Sequence, residues 1–537
     1  MRALGHPIPS KTPRRAPLVA LAALLLSACS HMAPGSVTRP IPRDERLVAL
    51  VPSETHASLD PEPIPAAPVP PHPFMAENGA SCMHGDAYTS NTYPWAGPEG
   101  HHPEVLSRAM GFVGGECPTV NFDRQGRIVT VCMRGRKPSL LLLDPQSLAV
   151  LARTPLPTRN TARLRIRTAT NDTSGGVYFY LDHRDRAVIG TSEGNLDTYA
   201  LDETGTAPRF VREERTSLQE ALRRRDGSLD KISAVMPDHD GNVWFVGRYG
   251  TVGFVTPDHI VHSTKLRGEE IENSLSIAED GVYVVTDHAL YRLDAAQGTA
   301  VHTAWREPYD RGTRRKLGQI NQGSGTSPTL LGEDYVAIAD NAEPRMNVLV
   351  YRRRGEEGNR LVCRVPVFEP GRSATENTMI GVGRSLVVEN NYGYDIFMTM
   401  RHGRTTEPGI ARIDVRADES GCDVVWVSHE ISQTVVPKLS IASGLIYAYT
   451  KLEGAPHDGD AYYFTAIDFE TGRTVYRVLT GTGLRYDNHW AEIAIAPDGT
   501  AYVGVLNGVL RIRDRTEAEL RPAMAVAPPG RRRARTR

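Results

Sequence analysis

The sequence predicts an all-β protein, a β-propeller of eight four-stranded blades, on three observations. A glycine that closes a short turn recurs at Gly126, Gly176, Gly241, Gly281, Gly332, Gly383, Gly444 and Gly499, at intervals of 40 to 65 residues. Each glycine is followed by a run rich in β-branched and aromatic residues, as in RIVTVC, NVWFVG, VYVVTD and TAYVGVL, with VYFYLD in the second unit. Helical periodicity is nearly absent, residues 217–225 being the one fair candidate.

Each unit can be read strand by strand. Asp240-Gly241, Asp280-Gly281 and Asp498-Gly499 supply the positive φ angles that tight hairpins need. Before the turn lies a short strand, as at 274–277 and 491–495; after the central strand come two more, as at 287–294 and 301–305. Four antiparallel strands in a repeat of about 50 residues is the signature of a propeller blade. The last unit shows only three strands, ending near Asp514, so a segment within 105–113 is expected to supply the fourth and close the ring. Seven blades with one irregular insertion is the alternative count.

Composition sets the outer limits. The chain has 537 residues, 40% hydrophobic and 23% charged, which excludes global disorder. The 48 Gly and 38 Pro suit a turn-rich fold. Net charge is −1, and without the basic stretches 1–28 and 531–537 the body holds 53 basic against 63 acidic residues, so no nucleic-acid track is expected.

The domain reading has four parts: a signal peptide over 1–28, a Pro-rich tether over 29–80, the propeller over 81–515, and a disordered basic tail over 516–537 that starts as a frayed helix. The signal has basic Lys11, Arg14 and Arg15 before an apolar run over 18–26. That run is far short of the roughly 20 residues a bilayer needs. It ends Leu26-Ser27-Ala28-Cys29, which resembles the bacterial lipobox. The resemblance implies cleavage before Cys29 and acylation on it, placing the chain on the periplasmic or cell-surface face of a bacterial membrane.

Five cysteines remain. Cys117 and Cys132 are equidistant from the 124–125 turn and could face each other across a hairpin. Cys363 and Cys422 hold matching places in neighbouring repeats and form the preferred disulfide; Cys82 competes for the first pair or stays free. No CxxC occurs, against a zinc ribbon or thioredoxin-type site.

The stretch Ala466-Ile-Asp468-Phe-Glu-Thr471-Gly472-Arg-Thr-Val-Tyr476 resembles the AxDxxTGxxxW repeat of quinoprotein-dehydrogenase-like propellers, with Tyr for Trp; looser echoes run from Leu293 to Trp305 and from Ile413 to Trp426. The resemblance implies the fold. The redox members of that family hold pyrroloquinoline quinone with adjacent cysteines and a Trp floor. This chain has no adjacent cysteines, so quinone-dependent oxidoreduction ranks third among the functions considered.

The repeat also predicts where chemistry sits. Second strands should end on the face where innermost strands begin. The ends read Asp182, Arg248, Asp287, Asp340, Glu389, Lys451 and Asn507. The entrances read Asn273, Ser324, Glu376-Asn377, Lys438 and Asp487-Asn488-His489. Such an oxygen-rich ring suits a hard cation such as Ca²⁺. Ile271-Glu-Asn273 and Asp340-Asn341 resemble the pattern of SMP-30/gluconolactonase-type calcium-dependent propellers. The resemblance implies a metal held by Asn273, Asp287, Asp340, Asn341, Glu389, Asn377 and Asn488, with His288 or His489 activating water. Against this, Asp and Asn at strand ends also cap turns, and Lys438, Lys451 and Arg248 favour salt-bridged closure or an anionic ligand.

The leading expectation is a lipid-anchored cell-envelope propeller that binds a small ligand or an envelope protein through its polar channel mouth. A metal-dependent lactonase or esterase in the same funnel is the alternative.

Overall fold

The computed structural model describes residues 39–111, 114–159, 171–355, 358–396 and 400–521. Eight antiparallel sheets follow one another along the chain. The innermost strands of blades 1 to 8 are Val120–Phe122, Tyr180–Leu181, Ile232–Pro237, Ser276–Ala278, Thr329–Leu331, Ile380–Val382, Lys438–Ser440 and Ile493–Ile495. The ring closes as expected: Pro103–Ala109 pairs antiparallel with Gly508–Asp514 and becomes the outermost strand of blade 8. Closure by mixing the two ends of the chain leaves no open gap between first and last blades.

Seven of the eight turn glycines sit between innermost and second strands with positive φ, from Gly332 at 53° to Gly281 at 145°. Blade 2 corrects the eighth. VYFYLD carries the innermost strand Tyr180–Leu181, not the second, which is Ala187–Gly190. The turn between them contains no glycine; Asp185 takes the left-handed conformation at φ 60°, which Asp tolerates better than most residues. Asp182 therefore caps the turn, accepting from the backbone N–H of Arg184 and Arg186, and lies on the face opposite the mouth.

The AxDxxTG stretch explains itself locally. Ala466 lies opposite Tyr476 across the two outer strands of blade 7. Asp468 closes the turn between them by accepting from the backbone of Glu470 and Thr471. Gly472 lets the Trp426 ring of blade 6 pack where a Cβ would stand 2.5 Å away.

One expectation about a flanking segment changes; residues 1–38 and 522–537, with the signal and most of the basic tail, lie outside the described residues. The described part of the presumed tether, 39–80, is packed on the propeller. Ile41, Leu47 and Val51 are buried, and Glu54–His56 adds to the outer edge of blade 7. At the other end, Thr516 caps a short helix, Glu517–Leu520. The helical candidate at 217–225 reduces to Gln219–Leu222.

Cys363–Cys422 joins the outermost strands of blades 5 and 6, and Cys117–Cys132 joins the approach to blade 1 to its second strand. Cys82 is free and buried. No helix among the described residues is long and apolar enough to cross a membrane.

Candidate functional site

The channel is filled from one side by the chain itself. Between Ala80 and Tyr93, carbonyls accept hydrogen bonds of 2.7–3.2 Å from Phe122, Leu181, Ile277, Leu330, Gly381, Leu439 and Ile441. Trp95 adds a bond from its indole N–H to the Ile495 carbonyl at 3.0 Å. The segment thus satisfies the inward-facing edges of seven blades, toward the ends where the turn glycines lie. Its own polar side chains are buried and need partners. His84 Nδ1 lies 3.1 Å from Asn91 Oδ1. Lys438 Nζ donates to the same oxygen at 2.9 Å and pairs with Glu492 at 3.1 Å. Burial pushes His84 down to about 3 and Glu492 up to about 7.

The opposite face stays open. There a cavity of about 500 Å³ is formed by the loops entering blades 2, 3, 5 and 8 and those leaving the second strands of blades 3 and 6. Lys231, Arg248, Arg315 and Lys316 border it, with Tyr249, Tyr394 and Trp490 as aromatic walls. The arrangement is a blind funnel, within the size range of small-molecule sites.

Its charged groups are mostly paired. Lys231 donates to Asp172 at 2.7 Å. Arg248 pairs with buried Glu272 and lies 3.6 Å from Glu270. Lys316 donates to the Ala342 carbonyl at 2.7 Å. Beneath the cavity, the Glu376 carboxyl is buried against the Ile320 backbone, and burial raises it to about 8.

On the far wall, Tyr394 donates to Asp487 at 2.8 Å and stands 3.0 Å from His489 Nδ1. Burial lifts Asp487 to about 6. His489 and Trp490 are consecutive non-glycine residues with φ of 50° and 63°. Left-handed backbone in two such residues is strained and is held by its surroundings. Here the Tyr394 ring packs 5.0 Å from Trp490 and 6.1 Å from His489.

The expected metal ring resolves into separate structural roles. Asp340 accepts from Ala342 N–H, Asn347 N–H and Asn347 Nδ2 at 2.6–3.1 Å, closing the turn into its third strand. Asn341 donates to the Arg311 and Arg314 carbonyls, both at 2.9 Å. Asp287 binds Glu270 N–H, His288 and Arg311. Asn488 donates to the Gly504 carbonyl at 2.8 Å. Only Glu389 and Asn377 meet, hydrogen-bonded between the entrance and second-strand end of blade 6; Asn273 is buried with its amide N–H unpartnered. Among the described residues no three His, Cys, Asp or Glu side chains lie together as a metal group.

The two histidines divide. His288 has both ring nitrogens engaged, by Asp287 at 2.8 Å and Arg311 at 3.0 Å, and is placed as structural. His489 lines the cavity. Cys29 lies outside the described residues. Arg248 and His489, expected from the sequence to lie at the mouth, both line the cavity; the 80–95 segment and the aromatic walls carry no sequence signal beyond Trp490 next to His489.

No family model matches the chain. An uncharacterized protein of Archaeoglobus fulgidus is 27% identical over 319 residues, covering 53% of this chain and 61% of that protein. The chain therefore spans about three-fifths of the length of that relative. Similar solved structures include a quinohemoprotein alcohol dehydrogenase of Pseudomonas putida HK5, with TM-score 0.46 and 10% identity, covering 83% of this chain and 81% of that one. BamB of Moraxella catarrhalis aligns with TM-score 0.36 and 12% identity, over 61% and 93%. A streptogramin B lyase aligns with TM-score 0.38 and 9% identity, over 79% and 100%.

Proposed function

We propose that this chain is an exported, lipid-anchored propeller that binds a small ligand in its channel-mouth cavity. One observation carries the reading: segment 80–95 seals the channel from within, which turns the mouth into a preformed pocket with an aromatic and hydrogen-bonding wall. A water-filled axial hole needs no such stopper. A thermal-shift screen of small molecules tests it. Hits whose effect disappears in Trp490→Ala support the mouth; hits indifferent to every mouth substitution reject it. The anchor is tested apart. Cys29→Ala should release the chain from the membrane fraction, and unchanged partitioning rejects lipidation.

The hydrolase reading keeps one specific support, His489 on the cavity wall beside Tyr394 and Asp487. In that reading His489 takes a proton from water attacking an ester or lactone carbonyl, without the metal. Turnover of an ester or lactone panel that His489→Ala leaves intact rejects it.

A further inference from the structure

The basic side chains at the mouth are already engaged. Four of them border the cavity: Lys231, Arg248, Arg315 and Lys316. Asp172 sits on Lys231, and Glu272 and Glu270 on Arg248. Arg315 donates to the Ile320 carbonyl and Lys316 to the Ala342 carbonyl. An anion site needs cations left over, and among the described residues each of these four has a partner within the protein.

Paired charges present both donors and acceptors to a guest without favouring either sign. Asn171, Ser174 and Ser233 extend that mixed surface, while Tyr249 and Trp490 bring partly exposed aromatic rings to it, backed by buried Tyr394. A guest matching both has hydroxyl groups around its rim and a C–H face that packs on a ring. We propose that the mouth cavity binds a neutral polyhydroxylated ligand, a short saccharide, with ring faces on Tyr249 and Trp490. This rests on the mouth being a ligand site, the reading proposed above.

The test titrates the full chain with cellotriose, maltotriose and tri-N-acetylchitotriose, following tryptophan emission, beside benzoate and inorganic phosphate. Tyr249, 39% exposed, is replaced by Ala, and Thr173 on the cavity wall by Trp to obstruct it. The expected result is saturable saccharide binding, insensitive to molar salt and weakened about tenfold or more by each variant. Binding of only benzoate or phosphate, screened by salt, overturns the saccharide assignment and leaves the mouth reading standing. Saccharide binding intact in both variants overturns the mouth reading itself. No response to any probe overturns the assignment.

Discussion

Tyr394 of blade 6 donates its hydroxyl to Asp487, on the loop into blade 8, at 2.8 Å. The bond ties two non-adjacent blades across the funnel and fixes the wall that carries His489. Tyr394→Phe removes the shortest side-chain donor to a buried carboxylate and leaves Tyr462 at 3.4 Å and the His489 backbone N–H at 3.1 Å. A lost hydrogen bond to a charged group costs about 1.5–3 kcal/mol. The variant should lose that much stability in urea unfolding, and ¹³C-detected titration should move Asp487 above its value of about 6. An unmoved carboxyl would detach Asp487 from Tyr394.

Buried acids around the channel predict how stability responds to pH. Burial raises Glu116 and Glu376 to about 8, Glu389 and Glu492 to about 7, and Asp487 and Asp86 to about 6. Each has a folded value above its unfolded one, so the folded state holds more protons between them. Their contribution is complete below about pH 4 and is lost as pH rises through 6 to 8, by about 1.4 kcal/mol per unit for each titrating group. His72 and His84, both lowered to about 3, act oppositely below pH 6.5. The melting temperature should therefore be higher at pH 6 than at pH 8.5. Glu376→Gln should shrink that difference; an equal drop in the variant contradicts the assignment.

The limits of the sequence follow from the same geometry. Seven turn glycines were legible because only a residue tolerant of positive φ closes those turns, and glycine advertises itself. Blade 2 was misplaced because Asp185 does that work and Gly176 offers a decoy, with φ of 101° in the loop before the innermost strand. The stopper was invisible for another reason. It binds the blades through main-chain carbonyls, which every residue has, so no side-chain pattern marks it. Apart from Asp182, the polar residues expected at second-strand ends lie there, but Asp340 and Asn341 spend their oxygens and N–H groups on their own loops.

Lys438 and Glu492 form a fully buried ion pair at the channel floor, with side chains 0% exposed. Lys438→Met strands Glu492 and also leaves Asn91 Oδ1 and the Met83 carbonyl without their ammonium donor. Breaking one partner of such a pair costs about 3–5 kcal/mol. Lys438→Met with Glu492→Gln should recover part of the loss, because no charge is then left behind. A double variant as unstable as the single one would place the cost in packing.

The disulfides should differ in weight. Cys363–Cys422 closes 59 residues and Cys117–Cys132 closes 15. Loop-closure entropy gives roughly 4 and 3 kcal/mol. Replacing each pair by serine and unfolding in guanidinium should show the larger loss for Cys363–Cys422, with the separation of blades 5 and 6 visible as faster amide exchange in their outer strands. Equal or reversed losses would show that the long link adds no constraint beyond blade packing.

Calcium can be separated from turn-capping at Asp340. Both carboxylate oxygens already accept hydrogen bonds, one from Ala342 N–H and Asn347 N–H, the other from Asn347 Nδ2. A cation bound there would have to displace those donors, and among the described residues no group of three His, Cys, Asp or Glu side chains is there to offset the cost. Asp340→Ala should destabilise by about 1–3 kcal/mol through the orphaned donors, equally in Ca²⁺ and in EDTA. Wild-type melting should be indifferent to both. A loss in Asp340→Ala that appears only with Ca²⁺ present would return this residue to the metal reading, because a turn cap has no reason to notice the ion.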